Sequence, residues 1–502
     1  MVVELLWLPV PVLLSLYFAF FAAYNYAYAA GALLRRRPRT VPLRTDARVA
    51  VVIVSFNERK VIADTVAACE RLTFPHKTIV VGDDSKDPET VALLRRLATE
   101  RDCVRVPGAR YNDTDVELWE SDGFVLFHRF HNAGFKAGNL KTLEGYLRGR
   151  GFDYMYLLDA DWRPQADALE RCLEVIEADP ATAYVQAKRL YHYGRRDHFQ
   201  RCLAINEEAC YLVDLAGRQQ LGQMILFSGC CALFDLSALY AVGGFQAGHL
   251  TEDIDLSNRF YLAGYRGVYL EEVANVGEVP PNYQAFRRQQ ERWAIGSART
   301  CKEYFLPVLR SELDLWTKLS LLRQNAYFTA ALGVEASVLW SLLVAVAAVV
   351  GAGRGGATPT FDGPLRVVAY TLVPTALVAL LSCVLPLVVG VVKKRDWISL
   401  LYIPAACWIA LSVVHTYAIA NVKGFRNLAQ TWFVTPKTNR RRGPVAVRGA
   451  RRIRALNGAT LLALAAAYLA AFRADAGATG AALATVYALV WIPSLVIASL
   501  KS

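Results

Sequence analysis

Apolar runs long enough to cross a bilayer punctuate the chain at about 5–31, 326–352, 367–392, 397–420, 456–473 and 479–500, and one long hydrophilic block separates the first from the second. This pattern restricts the chain to a water-soluble domain carried on membrane helices. With 54% hydrophobic residues and a mean hydropathy of +0.25, the protein is too apolar for an ordinary soluble enzyme. The first run has no small-residue cleavage site and is too long for a signal-peptide core, so it reads as a retained helix.

Charge sets the expected topology. The formal net charge of +12 gathers beside the apolar runs, at Arg35, Arg36, Arg37 and Arg39, at Lys393, Lys394 and Arg395, and through 440–454. The positive-inside rule puts all three clusters in the cytoplasm, against anionic lipid, and no aromatic interleaving suggests nucleic acid. If every run crossed, the 421–455 segment would fall outside, so 397–420 is expected to lie in the interface or re-enter. Trp397, Trp408 and Tyr417 suit a headgroup position, and Pro404 and His415 suit a lipid-exposed core poorly. The ten cysteines form no C-x-x-C pair or zinc spacing and read as reduced cytosolic thiols.

Inside the hydrophilic block, "RVAVVIVSF" (48–56), "KTIVVGDDS" (77–85) and "YMYLLDADWRP" (154–164) read as strands, with helical patterns at about 60–72 and 166–178. Alternation of this kind predicts an α/β domain with a parallel sheet, and such sheets bind ligands at the carboxyl ends of their strands. Asn57, Asp83, Asp84, Asp159 and Asp161 all stand at such ends. Carboxylates there are costly unless they bind something. Facing pairs attract a hard divalent cation, which neutralises a diphosphate as it leaves. That chemistry is departure of a nucleoside diphosphate from a sugar.

Three further stretches bear on the site. "HNAGFKAGNL" (131–140) sets Gly134 and Gly138 around Lys136, a loop able to hold phosphate oxygens. "GHLTEDIDLSNRF" (248–260) puts Glu252 and Asp253 at a helix start behind Thr251; a general base and simple helix-start electrostatics explain them equally well. "FRRQQERWAIGS" (286–297) brings Gln289, Gln290, Arg292 and Trp293 together.

The series Asp83-Asp84, Asp159-Ala160-Asp161, Thr251-Glu252-Asp253 and Gln289-Gln290-Glu291-Arg292-Trp293 resembles the D, DxD, TED and Q(Q/R)xRW signature of membrane-embedded family 2 glycosyltransferases, which include cellulose, hyaluronan, chitin and mannan synthases. "WFVTPKT" (432–438) resembles the gating loop of the cellulose synthase branch, and "FSGCCALF" (227–234) its segment near the acceptor end. One helix before the catalytic block, with no zinc-binding or cyclic-dinucleotide-binding region, is nearest the mannan and glucomannan synthase-like branch.

The resemblance implies a GT-A-type, Rossmann-like domain inserted between transmembrane helices, with interfacial amphipathic helices. It divides the chain into 1–34, 45–310, 320–395, 396–455 and 456–502. It also implies that Ser55, Asn57, Glu58, Asp83, Asp84, Lys136, Asp159, Thr435 and Lys437 hold a UDP- or GDP-hexose, and that Asp159 and Asp161 ligate Mg²⁺ or Mn²⁺. Asp253, beside Glu252, would be the base of a single inverting displacement. Gln289, Gln290, Arg292, Trp293, Gly229 and Cys230 would receive the acceptor. The implied protein is a multi-pass plasma-membrane synthase that polymerises and exports a β-linked polysaccharide from a cytosolic catalytic domain. The alternatives are a non-processive transferase using a lipid-linked acceptor, and a transporter with a non-catalytic nucleotide-binding domain. For the exporting synthase, Glu335, Tyr17, Tyr24, Asn25 and Tyr28 are expected to line a path for the glycan; the alternative is that Glu335 makes a helix–helix contact and the tyrosines form an interfacial belt.

Overall fold

The structure is a computed structural model and describes residues 9–34, 36–193, 197–337, 339 and 364–428. The expected spans 456–473 and 479–500, most of 326–352, and the 432–438 loop with Thr435 and Lys437 lie outside the described residues.

The strands are β1 (Val49–Ser55), β2 (Lys77–Asp83), β3 (Val104–Val106), β4 (Arg110–Tyr111), β5 (Thr114–Glu120), β6 (Phe124–Arg129), β7 (Tyr154–Asp159), β8 (Arg163–Pro164), β9 (Thr182–His192), β10 (Ala232–Asp235) and β11 (Arg266–Glu278). They lie side by side in the order β3-β5-β6-β2-β1-β7-β10-β9-β11-β8, with β4 turned back on β5. All seven residues of β1 are buried, as its unbroken apolar run requires of a central strand. Val49, Val51 and Ile53 pack on one face with Ile62 and Val66, while Ala50, Val52 and Val54 pack on the other with Leu140 and Leu143.

The sheet is not parallel throughout. The run β6-β2-β1-β7 is parallel, but β10 runs antiparallel to both β7 and β9. The chain enters β10 through two residues in the left-handed region, Gly229 (φ 87) and Cys231 (φ 59), and the Cys231 N–H donates to Leu157 O at 2.7 Å. The reversal places this turn across the carboxyl end of β7. On the parallel side, register aligns Ser55 with Asp83 and Val54 with Asp159, so the strand-end acids share one rim.

The 106–123 stretch, which reads in sequence as a surface excursion, is ordered sheet edge. Asn112 and Asp113, both at positive φ, form the two-residue turn of a hairpin that pairs Tyr111 with Thr114. Within β5 the buried Glu117 is offset by Arg95, whose Nε and Nη2 donate to it at 2.9 and 2.6 Å.

The helix Pro9–Gly31 packs along the helix Pro364–Lys394 and against the short helix Ala216–Gln220. Two of its polar residues bond neighbours: Tyr17 Oη lies 2.8 Å from Thr329 Oγ1, and Asn25 Nδ2 donates to Ser382 Oγ at 3.3 Å. A Cβ added at Gly217 would stand 2.2 Å from the carbonyl oxygen of Tyr28. Gly217→Ala is therefore expected to lower stability by about 1–3 kcal/mol, read as a fall in the thermal midpoint in detergent.

Segment 397–425 is apolar and long enough to cross a membrane by length and composition. It is built as a short 3₁₀ turn (Trp397–Tyr402) and two helices, Ile403–Leu411 and Val414–Phe425. The first packs on the helix His198–Ala209 and the second on the helix Tyr283–Arg310. Glu335 meets His415 side chain to side chain.

Candidate active site

A cleft of about 210 Å³ opens at the carboxyl ends of β1, β2 and β7. Ser55, Glu58, Asp84, Lys136, Asp159, Asp161, Gly229, Glu252, Asp253, Gln289, Arg292 and Trp293 all line it. Residues drawn from stretches up to 238 positions apart in number, 55 to 293, are thus collected on one wall system.

Lys136 stands at its centre. Its Nζ donates to Asp159 Oδ1 and to the Gly229 carbonyl oxygen, each at 2.6 Å, and lies 3.4 Å from Glu252 Oε1. Burial alone would pull this ammonium down, but Asp159 and Glu252 carry it well above the ordinary lysine value. It stays charged.

Gly229 keeps the floor open: a Cβ there would stand 3.4 Å from Asp253 Oδ2 and 4.0 Å from Lys136 Nζ, at a φ that disfavours any side chain. Asp253 opens the helix Glu252–Leu262, and its Oδ1 accepts from the Ile254 N–H at 2.9 Å. Burial, and then the Glu252 charge, push its carboxyl up to about 7. A carboxyl at that value is poised to exchange a proton at neutral pH. Arg292 is pushed below its ordinary value by burial, against the pull of Glu252, Asp159 and Asp253. Its helix, Tyr283–Arg310, starts at Asn282, whose side chain accepts from the Ala285 N–H, and this start orients the Gln289–Trp293 turn toward the cleft.

Asp84 lines the cleft while gripped from behind: Arg129 Nε donates to Oδ1 at 2.7 Å, and Asn139 Nδ2 donates to the same oxygen at 2.9 Å. Burial raises its carboxyl against that grip. Asn57, Asp83, Gln290 and Cys230 do not line the cleft. Asn57 Oδ1 accepts from the Lys86 and Asp87 N–H groups, both at 2.9 Å, which ties the end of β1 to the loop after β2. Asp83, fully buried, accepts from Ser85 and meets His128 Nδ1 at 2.8 Å. Cys230 lies against Arg189, with Sγ 3.1 Å from Nη1. Trp162, Arg189, Tyr191 and Glu207 also line the cleft and are not singled out by the sequence, since a helix glutamate and a strand arginine carry no local signature.

Asp159, the last residue of β7, and Asp161, on the turn after it, offer carboxylate oxygens two residues apart, and Asp161 is 2% exposed. Such hard oxygen donors fit Mg²⁺ or Mn²⁺. Another cluster, His249, Asp255 and Glu303, also brings ligand atoms within 4.8 Å of one another, but it lies off the cleft and Asp255 already accepts from Arg259 and Tyr304.

A mixed sheet whose strand-end carboxylates, lysine and helix-borne acid meet in one cleft is of the GT-A type, a glycosyltransferase fold. The sequence matches the "Glycosyl transferase family group 2" over residues 154–413 and "Glycosyl transferase family 2" over 50–243, and the chain belongs to glycosyl transferase family group 2. It is 28% identical over 299 residues to the probable glucomannan 4-beta-mannosyltransferase 14 of Arabidopsis thaliana, covering 57% of this chain and 52% of that one. To the probable glucomannan 4-beta-mannosyltransferase 11 of the same plant it is 26% identical over 276 residues, covering 54% and 58%. The chain therefore spans about half the length of these curated relatives. In fold it resembles the mannosyltransferase PcManGT from Pyrobaculum calidifontis, solved with GDP-Man and Mn²⁺, with a TM-score of 0.53 at 17% identity over 84% of this chain and all of that one. The glycosyltransferase assignment agrees with the motif resemblance and sets aside the transporter alternative.

Proposed function

We propose that this protein is a processive, inverting hexosyltransferase that polymerises a β-linked polysaccharide from a GDP- or UDP-sugar and passes it across the membrane. The observation that carries the reading is the meeting of Asp253, Lys136 and the Gln289–Trp293 turn around one cleft. Lys136 holds the diphosphate through its ammonium, with Ser55, Glu58 and Asp84 on the nucleoside side. Asp159 and Asp161 would hold the divalent cation, which when bound offsets charge on the leaving diphosphate. Asp253 takes the proton of the acceptor hydroxyl as that oxygen attacks the anomeric carbon and the bond to the diphosphate breaks. Gln289, Arg292 and Trp293 hold the acceptor, with the indole as its stacking platform. The names of the curated relatives and the ligand of PcManGT make GDP-mannose the first donor to try. The Pro9–Gly31 helix and the 397–425 segment, with exposed Phe305, Leu306, Leu309, Leu315 and Trp316, suit a chain held at a membrane with its cleft facing the cytosol.

The test is incubation of the purified protein in liposomes with radiolabelled GDP-mannose, GDP-glucose, UDP-glucose, UDP-N-acetylglucosamine and UDP-glucuronate, each with Mg²⁺ or Mn²⁺. High-molecular-weight label that resists lipid extraction is expected; label confined to the lipid phase would point to a lipid-linked acceptor and sink polymerisation. In the same assay Trp293→Ala is expected to raise the acceptor KM about tenfold, the loss of roughly one aromatic stacking contact, with the donor KM unchanged.

A further inference from the structure

Glu207 stands on the cleft wall near the Gln289–Trp293 turn, and the reaction above gives it no task. It belongs to the helix His198–Ala209. Its chain neighbour Glu208 is fully engaged: Lys394 Nζ donates to both its oxygens at 2.8 Å and the Tyr191 N–H donates at 3.0 Å. Glu207 is not so occupied. Among the described residues it accepts one long hydrogen bond, 3.3 Å from Gln290 Nε2, and has no ion pair within 4.0 Å. Gln290 is fixed from its other end, because Tyr417 Oη donates to its Oε1 at 2.6 Å, so its amide cannot turn to serve Glu207 better.

The surroundings are those of a sugar subsite. Arg189 is already held, with Nη1 donating to Ser228 O at 2.9 Å and its guanidinium 4.9 Å from the Trp162 ring. Its charge faces Glu207 without closing on it. A half-buried carboxylate with spare acceptor capacity, in a cleft also lined by the indoles of Trp162 and Trp293, offers pairs of hydroxyls what they bind.

We propose that Glu207 receives the terminal pyranose of the acceptor by accepting hydrogen bonds from its ring hydroxyls, and that its charge selects neutral sugar termini over uronate termini. The proposal rests on the glycosyl-transfer reading above and adds the acceptor's chemical class to it. Hydrogen bonds from hydroxyls to an ionised carboxylate are about twice as strong as neutral ones, and a uronate there would meet like charge. In the absence of sugar, burial pushes the Glu207 carboxyl up to about 7 in spite of Arg189 and Gln290, as expected of a group that its ligand would resolvate.

The experiment uses the full chain in detergent and measures, by calorimetry, binding of β-1,4-mannohexaose and of the same oligosaccharide oxidised to a carboxylate at C6 of its non-reducing end. Wild type is expected to prefer the neutral form by at least about tenfold. Glu207→Ala should lose about tenfold in affinity for the neutral form, with nucleotide affinity unchanged. Glu207→Gln keeps an acceptor for Gln290, and should narrow the preference to within about threefold while its thermal midpoint stays at the wild-type value. Equal binding of the two forms by wild type, or an unaltered preference in Glu207→Gln, overturns the proposal even if Glu207→Ala fails to fold. If the wild type incorporates label from the donor panel and Glu207→Gln binds as wild type does, Glu207 alone is wrong. No incorporation from any donor would remove the transfer reading and this proposal with it.

Discussion

Asp253→Asn is expected to yield a protein that folds, binds nucleotide and transfers sugar roughly 10³-fold more slowly, the middle of the range lost with a general base. The amide keeps the shape and the acceptor oxygen for the Ile254 N–H, so the fold has no reason to change. What disappears is the place for the hydroxyl proton. The wild-type pH profile provides a second check. Burial and Glu252 hold the Asp253 carboxyl at about 7, and a base works deprotonated, so the rate should climb as pH rises from about 6 to about 8. Transfer by Asp253→Asn at the wild-type rate, with the same pH limb, would remove Asp253 from this role.

The second large effect concerns stability. Asp214 lies between two buried arginines: Arg218 Nε donates to its Oδ1, and Arg323 Nη1 to its Oδ2 at 3.2 Å. Arg323 Nη2 reaches on to Asn25 Oδ1 of the Pro9–Gly31 helix at 2.7 Å, and both guanidiniums lie about 5 Å from the Tyr28 ring. Asp214→Ala leaves two buried cations with no carboxylate between them. Removing one partner of a buried pair costs about 3–5 kcal/mol, so a marked fall in the thermal midpoint and loosening of the first helix to protease are expected. Against the burial that would raise it, Arg218 and Arg323 hold the Asp214 carboxyl below its usual range. Its unfolded form therefore binds protons more readily, and the stabilisation is full above about pH 4 and fades as pH falls below it. A wild-type midpoint in Asp214→Ala would show that the cluster contributes nothing.

Much of this was legible in the chain. The β-branched run from Val49 to Val54 admits little but a central strand, and acids that end such strands announce a rim. Lys136, Asp159, Asp161, Asp253 and the Gln289–Trp293 turn carry enough local chemistry to stand out in the sequence. The rest depends on partners distant in sequence. Asp83 and Asp84 look alike in "GDDS", yet Asp83 turns to His128, 45 positions on, and Asp84 to the cleft. Gln289 and Gln290 are neighbours on one helix turn, but about 100° of rotation sends one to the cleft and the other to Tyr417. Arg189 and Glu207 belong to a strand and a helix that read as ordinary scaffold. The antiparallel β10 was hidden because a four-residue strand after a glycine turn shows no direction in sequence.

That reversal at β10 also bears on how such an enzyme can change. The strands that end at Ser55, just before Asp84 and at Asp159 form one parallel run early in the chain, while Glu207, Gly229, Asp253 and Arg292 arrive later, on segments assembled around β9, β10 and β11. The two sets meet at the cleft, along the seam between β7 and β10, and through contacts such as Glu144 with the Phe245 N–H and Tyr156 Oη with Asn275 Oδ1. A chimera joined between Asp161 and Arg163 would exchange one recognition surface, and the β7–β10 ladder, the Glu144–Phe245 contact and the packing of the Pro9–Gly31 helix on Pro364–Lys394 would be the joins that have to be matched.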